Sequence, residues 1–89
     1  IDAGFKTMSA REGVLPRPIG LDDVIVTTLS AEHGYLELGP RAPDLRIGQR
    51  VELIPDYNDT TTFRHDQFVG MRNGVVDQVI PLLARGRLS

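Results

Sequence analysis

The 89-residue sequence predicts an all-β domain, a small β barrel or sandwich, on three observations. Val, Ile, Leu, Thr and Tyr gather in short runs with no sustained 3.6-residue period. Gly, Pro, Asn or Asp bounds each run, as turns require. Arg72-Asn73-Gly74 stands between two apolar runs, and its Asn-Gly pair is the signature of a type I′ hairpin, in which both residues take positive φ.

The elements follow in order. Residues 1 to 9 read as a first strand, closed by Arg11-Glu12-Gly13 and the prolines at 16 and 18 into an irregular loop. "DVIVTTLS", residues 23 to 30, is β-branched almost throughout and reads as a buried strand. Glu32-His33-Gly34 interrupts, and "YLELG" alternates before Pro40. Residues 41 to 47 read as loop, with Gly48 at a turn. "RVELIP" puts Val51 and Leu53 on one face and Arg50, Glu52 and Ile54 on the other. A polar turn at 56 to 62 follows, and then "QFVGMR" and "GVVDQVIPLLARG" flank the Asn-Gly turn. Pro81 has no N–H, so it belongs at an edge or bulge of the last strand.

The whole of 1–89 reads as one domain. Its 40% hydrophobic and 25% charged residues are ordinary for a globular chain. At this length only about 60–65% of the unfolded surface is buried, so a thin core that draws support from a neighbour is expected. There is no Cys, and two His are too few for a closed zinc site. A net charge of −2, with arginines scattered along the chain, argues against a nucleic-acid partner. No apolar run approaches membrane-spanning length, and no secretory signal is present. The compartment expected is the cytoplasm. The start at Ile1, without Met and with strand-like residues in place, suggests a piece of a longer polypeptide.

Candidate chemistry concentrates in "LIPDYNDTTTF", residues 53 to 63. Asp, Asn and Thr are common turn residues, and Tyr57 among the acids is what raises a functional reading. Asp56 and Asp59 offer oxygens to a hard cation but are too few for a calcium cage. His33, beside Glu32, is a candidate for proton transfer, although neighbouring strand side chains point to opposite faces. His65-Asp66 reads as a solvated stretch. Lys6, the one lysine, reads as an exposed strand residue rather than an imine former.

The order of motifs carries a resemblance. Asp2-Ala3-Gly4 with Lys6 and Ser9, then Ser30-Ala31-Glu32-His33-Gly34, then Ile47-Gly48 leading to Val51-Glu52-Leu53-Ile54-Pro55, and finally Ala84-Arg85-Gly86, span nearly the whole chain. Together they resemble the C-terminal β domain of the D-serine dehydratase and D-threonine aldolase family of alanine-racemase-like enzymes. The resemblance implies an N-terminal α/β (TIM) barrel upstream of Ile1, with pyridoxal phosphate on a barrel lysine, and a homodimer. It also implies a small D-amino acid substrate.

The family often has a metal site just after that proline, as His, one residue, then Cys or Asp. Tyr57 falls at the His position and Asp59 at the second, so the resemblance leaves a divalent metal uncertain, with Asp59 its one candidate ligand. A phenol must lose a proton to coordinate, which makes Tyr57 a poor substitute. The implied roles are Tyr57 and Asp59 at the substrate hydroxyl with His33 close by as catalytic groups, and Thr60 and Thr61 against the substrate. The reaction read first is elimination of water from a D-β-hydroxy amino acid, as in D-serine ammonia-lyases. The alternatives are retro-aldol cleavage of the D-threonine aldolase type, and a non-catalytic domain that dimerises or binds a ligand.

Overall fold

The computed structural model describes residues 1–11 and 13–87. Glu12, within the loop expected at 11–13, lies outside the described residues, as do Leu88 and Ser89 at the end of the 1–89 domain. The chain runs β1 (Arg17–Ile19), β2 (Val24–Leu29), β3 (Gly34–Leu38), β4 (Glu52–Ile54), α1 (Asn58–Thr62), β5 (Gln67–Arg72) and β6 (Val75–Pro81). Strands dominate, as composition predicts. Among the described residues they pair as three two-stranded antiparallel ladders, β1 with β4, β2 with β3 and β5 with β6, and these do not close into a barrel.

β2 is half-buried rather than wholly buried: Val24, Val26 and Leu29 turn inward while Ile25 is 58% exposed. The odd spacing from Val26 to Leu29 arises at a bulge, where the register against β3 shifts between Val26 and Thr28. An extra residue there inverts the alternation and keeps both apolar groups on the core face. Met8, Val26 and Leu29 make up the core cluster, and Ala3, Ala10, Leu15, Leu36 and Leu53 pack around it. Leu53 comes from β4, where Val51 and Leu53 are half-buried and Glu52 and Ile54 exposed, as alternation predicts.

Within the first nineteen residues two segments also differ from expectation. Residues 1 to 9 form no strand. The Gly4 carbonyl instead accepts both the Thr7 and Met8 N–H groups in a turn, while Phe5 N–H donates to Ser30 O at 2.9 Å. Gly4 packs so closely on the Ser30–His33 backbone that a Cβ would strike the Ser30 carbonyl. Pro18, expected in an irregular loop, sits inside β1 opposite Leu53. With only two strands in the ladder, its missing N–H falls on an open edge.

The Asn73-Gly74 turn forms as predicted, with φ of 51° and 76°. Pro81 closes β6 opposite Gln67, and the bulge of this hairpin lies elsewhere, between Gly70 and Met71. Nearly all of β5 and β6 is exposed, including Phe68, Val69, Val75, Val79 and Ile80. The molecule measures 48 × 34 × 17 Å with a radius of gyration of 14.5 Å, against about 12 Å for a compact chain of this length. A slab of this shape exposes apolar surface that a rounder domain would bury.

Replacing Gly4 with Ala forces the 1–9 turn away from Ser30. Urea denaturation of the purified protein is expected to show a loss of about 1–3 kcal/mol, as for other overpacked sites.

Candidate functional site

The strand β4 ends at Pro55, and the chain enters α1 through Asp56 and Tyr57. The segment expected as a turn is therefore a short helix. Tyr57 is extended, with φ −137° and ψ 117°, and its carbonyl starts the helix. That oxygen collects three donors: Thr61 Oγ1 at 2.8 Å, Thr61 N at 3.2 Å and Ser9 Oγ at 3.2 Å. Thr60 Oγ1 donates to Ser9 Oγ at 2.6 Å, and Ser9 N–H donates to Thr61 Oγ1 at 3.2 Å. Ser9 is only 4% exposed, so these bonds are shielded from water. On the far side of α1, His65 Nε2 lies 2.6 Å from the Thr7 carbonyl. The segment 7–9 is thus tied to both ends of the helix.

This lattice fixes the Tyr57 backbone, and the side chain lies beside Asp59. The phenol donates to Asp59 Oδ2 at 3.1 Å. Arg11 lies over the ring, its Cζ 4.9 Å from the centroid, and its Nε is 3.7 Å from Asp56 Oδ2. The hydrogen bond to Asp59 raises the Tyr57 pKa above its ordinary value, and the Asp59 charge and partial burial add to the rise, while Arg11 opposes it. The phenol therefore keeps its proton at neutral pH.

The other predicted residues fall differently. His33 is exposed in the turn between β2 and β3, where its backbone bonds with Ser30 Oγ; no hydrogen bond or ion pair joins it to Tyr57 or Asp59. The hydroxyls of Thr60 and Thr61 are engaged inside the Ser9 lattice. Lys6 is exposed and pairs with Glu32 at 2.8 Å, which is not the desolvated pocket that imine chemistry needs. The described residues thus do not fit a pyridoxal phosphate anchor. Nor do they fit a metal site by themselves: among them no three His, Cys, Asp or Glu side chains cluster, and Asp59 Oδ2 accepts the Tyr57 hydroxyl. Arg11 is a participant that the sequence reading does not single out; Ser9 enters there only among the motifs of the resemblance, and Asp56 only as a possible cation ligand beside Asp59.

A family model described as "Putative serine dehydratase domain" matches residues 1–71, which include Ser9, Arg11 and all of the Tyr57 site. The chain belongs to this family. Within the serine dehydratase domain family it is 40% identical over 87 residues to 3-hydroxy-D-aspartate aldolase of Paracoccus denitrificans, covering 98% of this chain and 22% of that protein. It is 38% identical over 88 residues to D-threonine aldolase of an Arthrobacter species, covering 97% of this chain and 22% of that protein. The crystal structure of D-threonine aldolase from Filomicrobium marinum superposes with a TM-score of 0.81 at 35% identity, over 99% of this chain and 24% of that one. The chain thus spans under a quarter of the length of these relatives, and the resemblance read from the motifs is borne out. Among the described residues no helix is long and apolar enough to cross a membrane.

Because Asp59 is the main cause of the Tyr57 shift, Asp59→Asn is expected to bring the phenol back toward its ordinary pKa of about 10. Tyrosinate absorbance during an alkaline titration, taken as the difference from a Tyr57→Phe control, measures this. The sign also fixes a stability effect. A phenol held protonated by the fold contributes stability below its unfolded pKa and loses it as pH rises through the folded one.

Proposed function

We propose that this chain is the C-terminal β domain of a pyridoxal phosphate-dependent lyase acting on a D-β-hydroxy amino acid, and that the reaction is retro-aldol cleavage. The cofactor and its lysine belong, in this reading, to an N-terminal barrel of the same enzyme, and the active species is a dimer. Pyridoxal phosphate supplies an electron sink for the bond broken at the α-carbon. The names of the two relatives, a 3-hydroxy-D-aspartate aldolase and a D-threonine aldolase, support the substrate class.

One observation carries the choice of reaction: Tyr57 donates its hydroxyl proton to Asp59. The phenol oxygen then has lone pairs to accept a hydrogen bond from a substrate hydroxyl. Protons in such a chain move from substrate to Tyr57 and from Tyr57 to Asp59. Retro-aldol cleavage needs that direction, because the β-hydroxyl must lose its proton as it becomes a carbonyl. Dehydration needs the opposite, a proton delivered to a leaving hydroxyl. The geometry therefore favours the aldolase over the dehydratase, reversing the order in which the sequence alone ranks them. The exposed apolar hairpin of β5 and β6 supports a domain that packs against more protein.

The full-length enzyme with D-threonine is expected to release glycine and acetaldehyde; 2-oxobutyrate and ammonia as the main products would restore the dehydratase reading. Tyr57→Phe is expected to lower kcat roughly a hundred- to ten-thousandfold, the range of a proton-transfer group, with little change in thermal stability. Parental kcat in that variant would leave the domain a structural role.

A further inference from the structure

We propose that Arg11 is a positioning residue for Tyr57: its guanidinium, anchored on the buried Asp56 carboxylate, holds the phenol ring beneath it. The inference rests on the reading of Tyr57 as a reacting group. Asp56 is the starting point. Its side chain is 5% exposed, and its Oδ2 has no hydrogen-bond partner. A carboxylate so buried is strongly unfavourable without a compensating charge, and the Arg11 Nε at 3.7 Å supplies it, within ion-pair reach though too long for a hydrogen bond.

Arg11 is held from its backbone as well, since its N–H donates to Val14 O at 3.2 Å and its carbonyl accepts Val14 N–H at 2.8 Å. The side chain, 59% exposed, would otherwise sample many rotamers. Restrained at both ends, the guanidinium lies on the Tyr57 face that its planar cation favours. Arg64 lies in the same way over its sequence neighbour Phe63, and its Nη1 donates to the Thr60 carbonyl. Tyr57 is thereby fixed at its face by Arg11 and at its hydroxyl by Asp59, the two charged groups that act on it.

The test uses the full-length enzyme with Arg11→Gln, Arg11→Lys and Asp56→Asn, each made also with Tyr57→Phe. Two readings are taken: kcat and KM with D-threonine, and the Tyr57 ionisation as the tyrosinate difference between each variant and the same variant carrying Tyr57→Phe. Arg11→Gln is expected to lower kcat roughly ten- to a hundredfold with KM little changed, as for a misplaced reacting group, and to move the Tyr57 ionisation to higher pH. Arg11→Lys keeps the charge without the planar face, so it should restore the ionisation and only part of kcat. Asp56→Asn should reproduce the kcat loss, with no further loss on adding Arg11→Gln. Parental kcat together with an unmoved ionisation in Arg11→Gln would overturn the proposal. Parental kcat in Tyr57→Phe alone would remove the catalytic reading of the site and, with it, the positioning role of Arg11.

Discussion

The carbonyl oxygen of Tyr57 is the point on which the site depends. Ser9 reaches it from 48 residues away, and Thr61 reaches it from the first turn of the helix it begins. Threonine is a modest helix former, and three in a row over five residues would not hold a helix in isolation. What holds α1 is the lattice that its threonines make with a serine from the other end of the chain. The arrangement suits a molecule with a core of a few residues, in which apolar burial alone cannot fix the entry to the helix. Each bond contributes only about 0.5–1.5 kcal/mol, but a buried hydroxyl left without a partner costs more, so the network holds together as a unit.

Legibility in the sequence follows the range of the interaction. The turn at Asn73-Gly74 is readable because two adjacent residues determine it. The alternation of Val51 and Leu53 is readable because a strand's period is local. The first nine residues read as a strand because their composition suits one; what decides their shape is the close approach of Gly4 to Ser30, which no local pattern encodes. The same holds for 56–62. Its Asp, Asn and Thr residues favour a turn in isolation, and the helix emerges only when Ser9 is placed beside it. Pro18 reads as a strand breaker, a rule that fails where a ladder has no third strand.

Tyr57 draws notice in the sequence as a phenol among acids, and the family resemblance, which places Tyr57 and Asp59 at its metal-site positions, is what picks out the pair. The residues that orient the pair are not marked out in this way. Ser9 and Arg11 come from a separate loop, and Asp56 looks like one more acid in a polar run until its burial is known. His33 is the opposite case, conspicuous beside Glu32 and yet held in the β2–β3 turn without a bond to the Tyr57 pair.

Asp59 and Arg11 act on the phenol in opposite directions, and the balance between them suits the proton relay proposed for the site. The carboxylate makes ionisation of Tyr57 harder, by accepting its hydrogen bond and by its charge, while the guanidinium over the ring makes it easier. A phenol under Asp59 alone would hold its proton more tightly; under Arg11 alone it would move toward phenolate and lose the hydrogen bond that directs it. With the carboxylate prevailing, Tyr57 stays neutral and oriented, and in the proposed reading a proton would pass through it with no free phenolate, one arriving as the other leaves for Asp59. Such a path would depend on the ring staying within hydrogen-bonding reach of Asp59. The Ser9 lattice fixes the backbone for that purpose, and the Asp56–Arg11 pair is what the chain offers to fix the ring.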